Sequence, residues 1–416
     1  MSLLVQKYGG TSLGSLDRIR HVAARIIKAK ANGHAIVVVV SAMQGETDRL
    51  IQLATALTPE PNAREYDALV ATGEQVSMAL LAIELNAKGC SAKCYSSLQI
   101  GILTDDVHTK ARILQVKTEI IQQDLDAGFV VVVAGFQGMN LQGDITTLGR
   151  GGSDTTAVAI AAALKADECQ IYTDVEGVYT TDPKLVKDAV LLSEISFEEM
   201  LEMSSLGAKV LQMRSVELAN KHNMPLRVLS TFTNTPGTLV TFEQKMLQKR
   251  LVSGIAFSRE EAMISLTGVP NCAGMEGSIL GKVSEANIEI DMIAQNATDK
   301  DTMDFTFTVQ RKDYPKTLAI VTELSTHLPE VRIKSNAHVA KLSLVGIGMR
   351  SHAGVASTMF KALGRAKINI QMITTSEIKI SVVIDENVLE KGVHVLHQGF
   401  ELDKLAVEKA EQVMEA

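Results

Sequence analysis

The sequence predicts an α/β protein. A mainly parallel sheet covered by helices spans residues 1–240, a connector follows over 241–262, and two small modules fill 263–340 and 341–416, their termini free to interleave. Three observations predict it. Up to residue 240, short continuously apolar runs alternate with longer helical ones, and strands apolar on both faces belong to parallel sheets covered by helices. Glycine-rich loops follow several of these runs, at the strand ends where open α/β sheets bind ligands. Beyond residue 250 the chain repeats itself. Residues 264–269 match 342–347, residues 286–293 match 366–373, and Gly274 and Gly354 occupy equivalent turns at an offset of 354 − 274 = 80 residues.

Taken in order, residues 3–5, 35–40, 92–95, 129–134, 168–172 and 226–229 read as strands. Residues 18–31, 64–86, 110–127, 155–165 and 197–221 read as helices. Thr235, Pro236, Gly237 and Thr238 form a turn, and the charged stretch 243–250 reads as a connector. Each repeat then runs strand, glycine turn, helix, strand, with a further strand at 304–310 or 378–384. Two copies are too few for a solenoid, so they read as paired βαββ-type modules.

Composition narrows the function. A net charge of −7, no Trp and only 4% aromatic residues argue against a nucleic-acid surface, which needs basic patches and stacking rings. Lys7 and the following glycines interrupt the first apolar stretch too early for a signal peptide. No apolar run approaches the ~20 residues of a membrane span. Cys90, Cys94, Cys169 and Cys272 have neither zinc-like nor disulfide spacing, so reduced thiols and a cytoplasmic protein are expected.

Two loops carry the chemistry. Gly149, Arg150, Gly151, Gly152, Ser153 and Asp154 precede an Ala-rich helical run. Glycines let backbone amides approach a ligand, and a helix start adds partial positive charge. The second loop is Lys7, Tyr8, Gly9, Gly10, Thr11 and Ser12, after the first strand. A strand-end lysine is commonly just solvated, but beside a glycine pair it suits transferring phosphate oxygens. Neither a Walker loop nor a dinucleotide fingerprint fits, because the glycine spacings are wrong. Together the loops read as a phosphoryl-transfer site.

Other residues have a plain reading beside the functional one. Ser41 ends the second strand as a helix cap or a phosphate contact, with Thr47 in reach of a substrate polar group. Glu74 is an exposed helix glutamate or, opposite Arg150, the partner of an α-ammonium; an amino acid needs both signs. Gly135-Phe-Gln-Gly138 is a tight turn after the strongest β run. The polar loop 173–183 is a connection or a nucleotide contact. Lys209 is a surface lysine or a second phosphate contact.

Five motifs together closely resemble the aspartokinases of the amino-acid kinase family. They are Lys-Tyr-Gly-Gly-Thr-Ser at 7–12, Val-Ser-Ala-Met at 40–43, Gly-Phe-Gln-Gly at 135–138, Gly-Arg-Gly-Gly-Ser-Asp at 149–154 and Thr-Asp-Val-Glu-Gly-Val-Tyr-Thr-Thr-Asp-Pro at 173–183. The repeats look like tandem ferredoxin-like βαββαβ ACT modules, so the resemblance covers nearly the whole chain. After Lys209, Val-Leu-Gln-Met at 210–213 replaces a His-Pro often found there.

The resemblance implies ATP-dependent phosphorylation of the aspartate side-chain carboxylate, with Mg²⁺ and no assigned metal ligands. Lys7 and Asp154 become catalytic. ATP contacts fall on Lys7, Tyr8, Gly9, Gly10, Ser41, Thr173, Asp174, Tyr179, Asp182, Pro183, Lys184 and Lys209. Substrate contacts fall on Thr47, Glu74, Arg150, Gly151, Gly152 and Ser153. Lysine or threonine is expected as effector, on Gly277, Ile279, Asp291 and Gln295 of the first module and His352, Val355, Thr374, Ser376 and Glu377 of the second. A homo-oligomer is expected through the ACT modules, and Met246 is placed to start a separate regulatory subunit. No fused homoserine dehydrogenase is expected after the second module. Two rivals stand beside this: an amino-acid kinase with another acceptor, and a non-catalytic amino-acid sensor that binds ATP structurally. Complete Lys7, Arg150 and Asp154 weigh against the sensor.

Overall fold

A computed structural model describes residues 2–404 except 207–209, 247–250, 299–300, 327, 329, 348 and 350–353. The chain divides into two compact units. The first comprises the described residues of Met1–Val178, Leu191–Ser204 and Lys209–Leu247, the second those of Tyr179–Val190, Ser205–Ala208 and Gln248–Ala416.

In the first unit the strands are β1 (Leu3–Tyr8), β2 (Ala35–Val40), β3 (Ala92–Tyr95), β4 (Ile102–Thr104), β5 (Ile113–Val116), β6 (Val130–Ala134), β7 (Gln137–Met139), β8 (Ile145–Thr147), β9 (Glu168–Thr173), β10 (Glu194–Ser196), β11 (Leu226–Ser230) and β12 (Thr238–Thr241). Eight of them form one sheet in the order β10-β12-β11-β9-β1-β2-β6-β3, all pairs parallel except β11 with β12. β6 is buried along its whole length and β2 along all but its first residue, as the runs of valine require. The helices are α1 (Leu16–Ala31), α2 (Glu46–Leu57), α3 (Ala63–Val70), α4 (Thr72–Ala87), α5 (Ser97–Ile100), α6 (Glu119–Asp126), α7 (Gly152–Leu164), α8 (Phe197–Ser205) and α9 (Met213–Lys221). α1 shows why they form. Ser15 caps it by accepting from Arg18 N, Asp17 and Lys28/Lys30 sit at the ends that suit the helix dipole, and Ile19, Val22, Ala23 and Ile26 turn inward at helical spacing.

The expected helix over 110–127 is replaced. Residues 113–116 form β5, and only Glu119–Asp126 is helical. The reason is a second, four-stranded sheet, β5-β4-β7-β8, whose short strands lack the buried runs that betray a strand. The expected helix 64–86 is two helices meeting at Ala71. By length and composition alone, Ala63–Ala87 is apolar enough to cross a membrane, but it carries Asp67 and Glu74, both buried in the unit.

The second unit holds β13 (Gly254–Pro270), β14 (Ile290–Ala297), β15 (Thr302–Gln310), β16 (Arg332–Val345), β17 (Met372–Thr375) and β18 (Lys379–Asp385), with α10 (Met275–Glu285), α11 (Tyr314–Ser325), α12 (Val355–Arg365) and α13 (Leu389–Gly399). Sheet order is β14-β15-β13-β16-β18-β17. The repeats interleave. The first half of β13 pairs with Lys341–Val345 of β16 in the second repeat, while its second half pairs with β15 in the first. The expected connector over 241–262 therefore ends by Gly254, where β13 begins.

Residues Tyr179–Val190, expected within the sheet domain, group with the second unit. Val186 is buried in the core formed with Ile255, Leu342 and Val393. Thr180 O accepts from Ile255 N at 2.7 Å, and Val190 N donates to Thr180 Oγ1 at 3.0 Å. The Thr180 hydroxyl is thus free to donate to Nε2 of the buried His397, 3.0 Å away, whose pKa burial lowers.

Candidate active site

The site grows from the carboxyl ends of β1, β2, β6 and β8. β1 pairs in parallel with β2 and β9 through Lys7, which carries Lys7 to the rim of the sheet. The chain then turns through Gly9 into a short 3-10 turn, Gly10–Leu13. A Cβ on Gly10 would lie 2.8 Å from the Ala42 carbonyl, so only glycine lets the first loop lie against the loop after β2. Ser12 Oγ meets Thr231 Oγ1 at 2.6 Å, tying the same loop to the end of β11.

After β8 the second glycine loop enters α7. Gly151 is the cap residue in left-handed conformation (φ 71°), which glycine adopts without strain. Asp154 in the first turn reaches Lys7: Nζ to Oδ1 is 2.6 Å, with both side chains largely buried. The two motifs, their paired residues 154 − 7 = 147 positions apart in sequence, thus meet as one ion pair.

This pair sits in the wall of a cavity of about 1030 Å³. Gly10, Ser41, Thr47, Glu74, Arg150, Gly151, Gly152 and Ser153 line the same cavity. Arg150 is exposed, and Thr47 is half-buried on α2. Glu74 is 3% exposed on α4. Its Oε1 accepts from Ala42 N at 3.1 Å, while Oε2 is buried without a partner. Burial pushes its pKa up to about 7. A carboxylate in that position is poised to take a cation.

Other expected contacts fall differently. The Tyr8 ring is fully buried and stacked on Tyr172 with centroids 4.6 Å apart, so only its backbone is left for a ligand. Thr173 and Asp174 cap β9, joined by a 3.0 Å hydrogen bond. Tyr179, Asp182, Pro183 and Lys184 belong to the second unit, where Asp182 Oδ1 accepts from Lys184 N. Those four, expected in the sheet domain, lie in the second unit because Val186 draws their segment into its core. Lys209 lies outside the described residues.

The effector residues also divide. Ile279 and Val355 are core side chains, 2% and 3% exposed, so neither can present its side chain to a ligand. Gly277 is exposed in the first turn of α10, and Gln295 on β14 donates to the Met303 sulfur at 2.9 Å. Asp291 is already paired with the buried Lys341. Thr374 pairs with Ser381 across β17 and β18, and Ser376 and Glu377 form the turn that follows. His352 lies outside the described residues.

Sequence reading missed part of the wall. Tyr66, Thr109, Lys110, Thr147, Gln212 and Arg214 also line the cavity, and none lies in a glycine motif. The hint for Gln212 and Arg214 was their closeness to Lys209; the others gave no signal.

Comparison with known proteins points one way. Residues 2–230 match the amino acid kinase family and residues 342–400 an ACT domain. An aspartate kinase of Stutzerimonas stutzeri is 56% identical over 99% of this chain and 100% of its own length. An aspartokinase of Pseudomonas aeruginosa is 56% identical over 97% and 98%, and aspartokinase 2 of Bacillus subtilis 46% identical over 97% and 99%. Among solved structures, E. coli aspartokinase III in complex with aspartate and ADP has a TM-score of 0.77 at 26% identity, covering 95% of this chain and 99% of that one. Its complex with lysine and aspartate gives 0.74 at 26% identity, over 96% and 99%.

Proposed function

This chain belongs to the aspartate kinases of the amino acid kinase family, and from that premise we propose how its residues carry the reaction. The γ-phosphoryl group of ATP passes to the side-chain carboxylate of L-aspartate, giving ADP and 4-phospho-L-aspartate. A carboxylate with a pKa near ~3.9 is ionised at neutral pH, so no general base is needed. The obstacle is charge, since an anion must approach an anion.

The observation that carries the proposal is the Lys7–Asp154 pair, on one cavity with Arg150 and the half-satisfied Glu74. Lys7 supplies positive charge where negative charge spreads over the transferring oxygens, and Asp154 fixes where that ammonium points. Arg150 takes the α-carboxylate, for which a guanidinium fork is suited. Glu74 Oε2 takes the α-ammonium, and Thr47 orients the side chain. The glycine loop at the start of α7 adds a helix N-terminus to the anionic side of the reaction.

Magnesium fits this donor set. Among the described residues no three acidic, His or Cys side chains cluster as a cage, and Mg²⁺ characteristically rides on phosphates with one or two carboxylates. Asp154 is the carboxylate that would hold it, and the bound ion would neutralise phosphate charge.

The product, an acyl phosphate, would feed synthesis of lysine, threonine, methionine and diaminopimelate, with lysine or threonine returning as inhibitor through the ACT modules. Association of copies is supported by the sheet's two edge strands, β14 and β17, each showing a half-exposed isoleucine, Ile293 and Ile373. The test is ATP-dependent hydroxamate formation with a panel of amino acids. Turnover with aspartate alone is expected; preference for glutamate, an acylated amino acid or carbamate would overturn the proposal.

A further inference from the structure

One carboxylate stitches together much of the cavity wall that the motifs do not supply, around Thr109, Lys110 and Thr147. Asp67, on α3, is fully buried. Its Oδ2 accepts from Thr109 N at 2.9 Å and Thr147 N at 3.0 Å, and lies 2.9 Å from His108 Nδ1. Its Oδ1 accepts from Thr147 Oγ1 at 2.6 Å. Three segments are therefore held by one side chain: α3, the loop before β5, and the end of β8.

Taking a carboxylate fully out of water is costly unless donors surround it. An apolar residue would serve if the only need were to fill space. What the bonds achieve is placement. Thr147 is two residues before Gly149, and Thr109 is one before Lys110. Gly149 has φ 76°, and a Cβ there would meet the Thr109 carbonyl at 3.1 Å and the Lys110 stem at 3.9 Å. Lys110 and Arg150 thus flank a single glycine at the same cavity. Both are exposed, and neither forms an ion pair among the described residues.

We propose that Lys110 is a further substrate-binding residue, sharing the amino acid's α-carboxylate with Arg150, and that Asp67 is the positioning residue that sets these two cations side by side. This rests on the aspartate kinase reading. Two cations on one carboxylate explain why the loop before β5 is locked to β8 instead of left as a free connection. Removing Lys110 weakens one ligand contact; removing Asp67 lets both cations drift.

The experiment is steady-state kinetics on the full chain, varying aspartate and ATP separately, for Lys110→Met, Asp67→Asn and Thr147→Val. Lys110→Met is expected to raise the aspartate KM about tenfold, with kcat and the ATP KM within about twofold, as loss of one charged contact predicts. Asp67→Asn sets an amide N–H against donors and is expected to give the same split, larger. Thr147→Val removes only the Oδ1 bond and decides the question should Asp67→Asn fail to fold. An unchanged aspartate KM in Lys110→Met overturns the contact. Equal losses toward aspartate and ATP, or a lowered Tm with both KM values intact, in the Asp67 and Thr147 variants make Asp67 a structural prop and overturn its role. Wild-type protein is assayed first. If it does not turn over aspartate, the functional reading falls, and the variants are scored on the amino acid it does phosphorylate.

Discussion

Asp67 and Glu74 are both buried carboxylates, seven residues apart on consecutive helices; Glu74 lines the cavity, and Asp67 lies behind its wall, bonded to Thr109 and Thr147, which line it. Asp67 is saturated, with both oxygens taken by donors from a loop 41 to 42 residues away and a strand end 80 residues away. Glu74 keeps one oxygen bare and has its pKa pushed up to about 7 by burial. Depth in the protein is the same; partners differ. A filled carboxylate holds the chain, whereas an unfilled one waits for a cation that the chain does not supply. Asp154 is a third case, filled by a cation from the chain itself, Lys7.

The comparison breaks most visibly at Asp154. Lys7→Ala leaves Asp154 without its cation and the transferring phosphate without its charge. The expected loss is ~2.7–4 kcal/mol of transition-state stabilisation, about a hundredfold to a thousandfold in kcat, with a smaller change in aspartate KM. Near-normal kcat in this variant would remove Lys7 from the chemistry.

Next comes Glu74 itself. Glu74→Gln keeps the shape and removes the charge that an α-ammonium would meet. Aspartate KM should rise about tenfold to a hundredfold, with ATP binding nearly intact. Titration showing ATP affinity collapsing while aspartate KM held would reverse the assignment.

The bare oxygen also makes a pH prediction. With a pKa near 7, Glu74 is mostly neutral at pH 6 in the free protein, and the substrate ammonium binds its ionised form. Aspartate KM should therefore fall as pH rises, about fivefold from pH 6 to 7 and about twofold from 7 to 8. Glu74→Gln should flatten that profile. A wild-type aspartate KM independent of pH over this range would mean that Glu74 is already ionised and partnered.

The smallest effect on catalysis belongs to the second unit. Asp291 resembles Asp67 in being filled already, here by Lys341. Replacing Gln295 or Thr374 should relieve inhibition by lysine or threonine while uninhibited kcat stays within about twofold, reflecting a coupling of ~1–3 kcal/mol. Full inhibition in both variants would move the effector site elsewhere.

The glycine loops were legible because a turn that must admit a ligand restricts residue type locally, and Lys7, Arg150 and Asp154 sit in or directly beside such turns. The main sheet was legible for a similar reason, since valine runs such as 35–40 fit only a doubly covered strand. Asp67 was not legible. On its own helix it reads as a solvated acid, and its partners lie far along the chain, in the loop before β5 and at the end of a three-residue strand. Nor could local pattern reveal that β13 serves both repeats, because pairing with two different strands leaves no mark on one 17-residue run.

The excursion of Tyr179–Val190 bears on how this protein can be cut. A fragment begun at Met246 retains all six strands of the second unit but loses Val186, Leu185 and Ala189 from its core. It also loses the carbonyl that receives Ile255 N and the hydroxyl beside His397. Such a fragment would expose an apolar notch and a stranded backbone amide at the point where its first strand begins. Any free-standing regulatory piece must fill that notch, from its own sequence or from a second polypeptide. A synthetic peptide covering residues 179–190, added in trans, would restore what the cut removes.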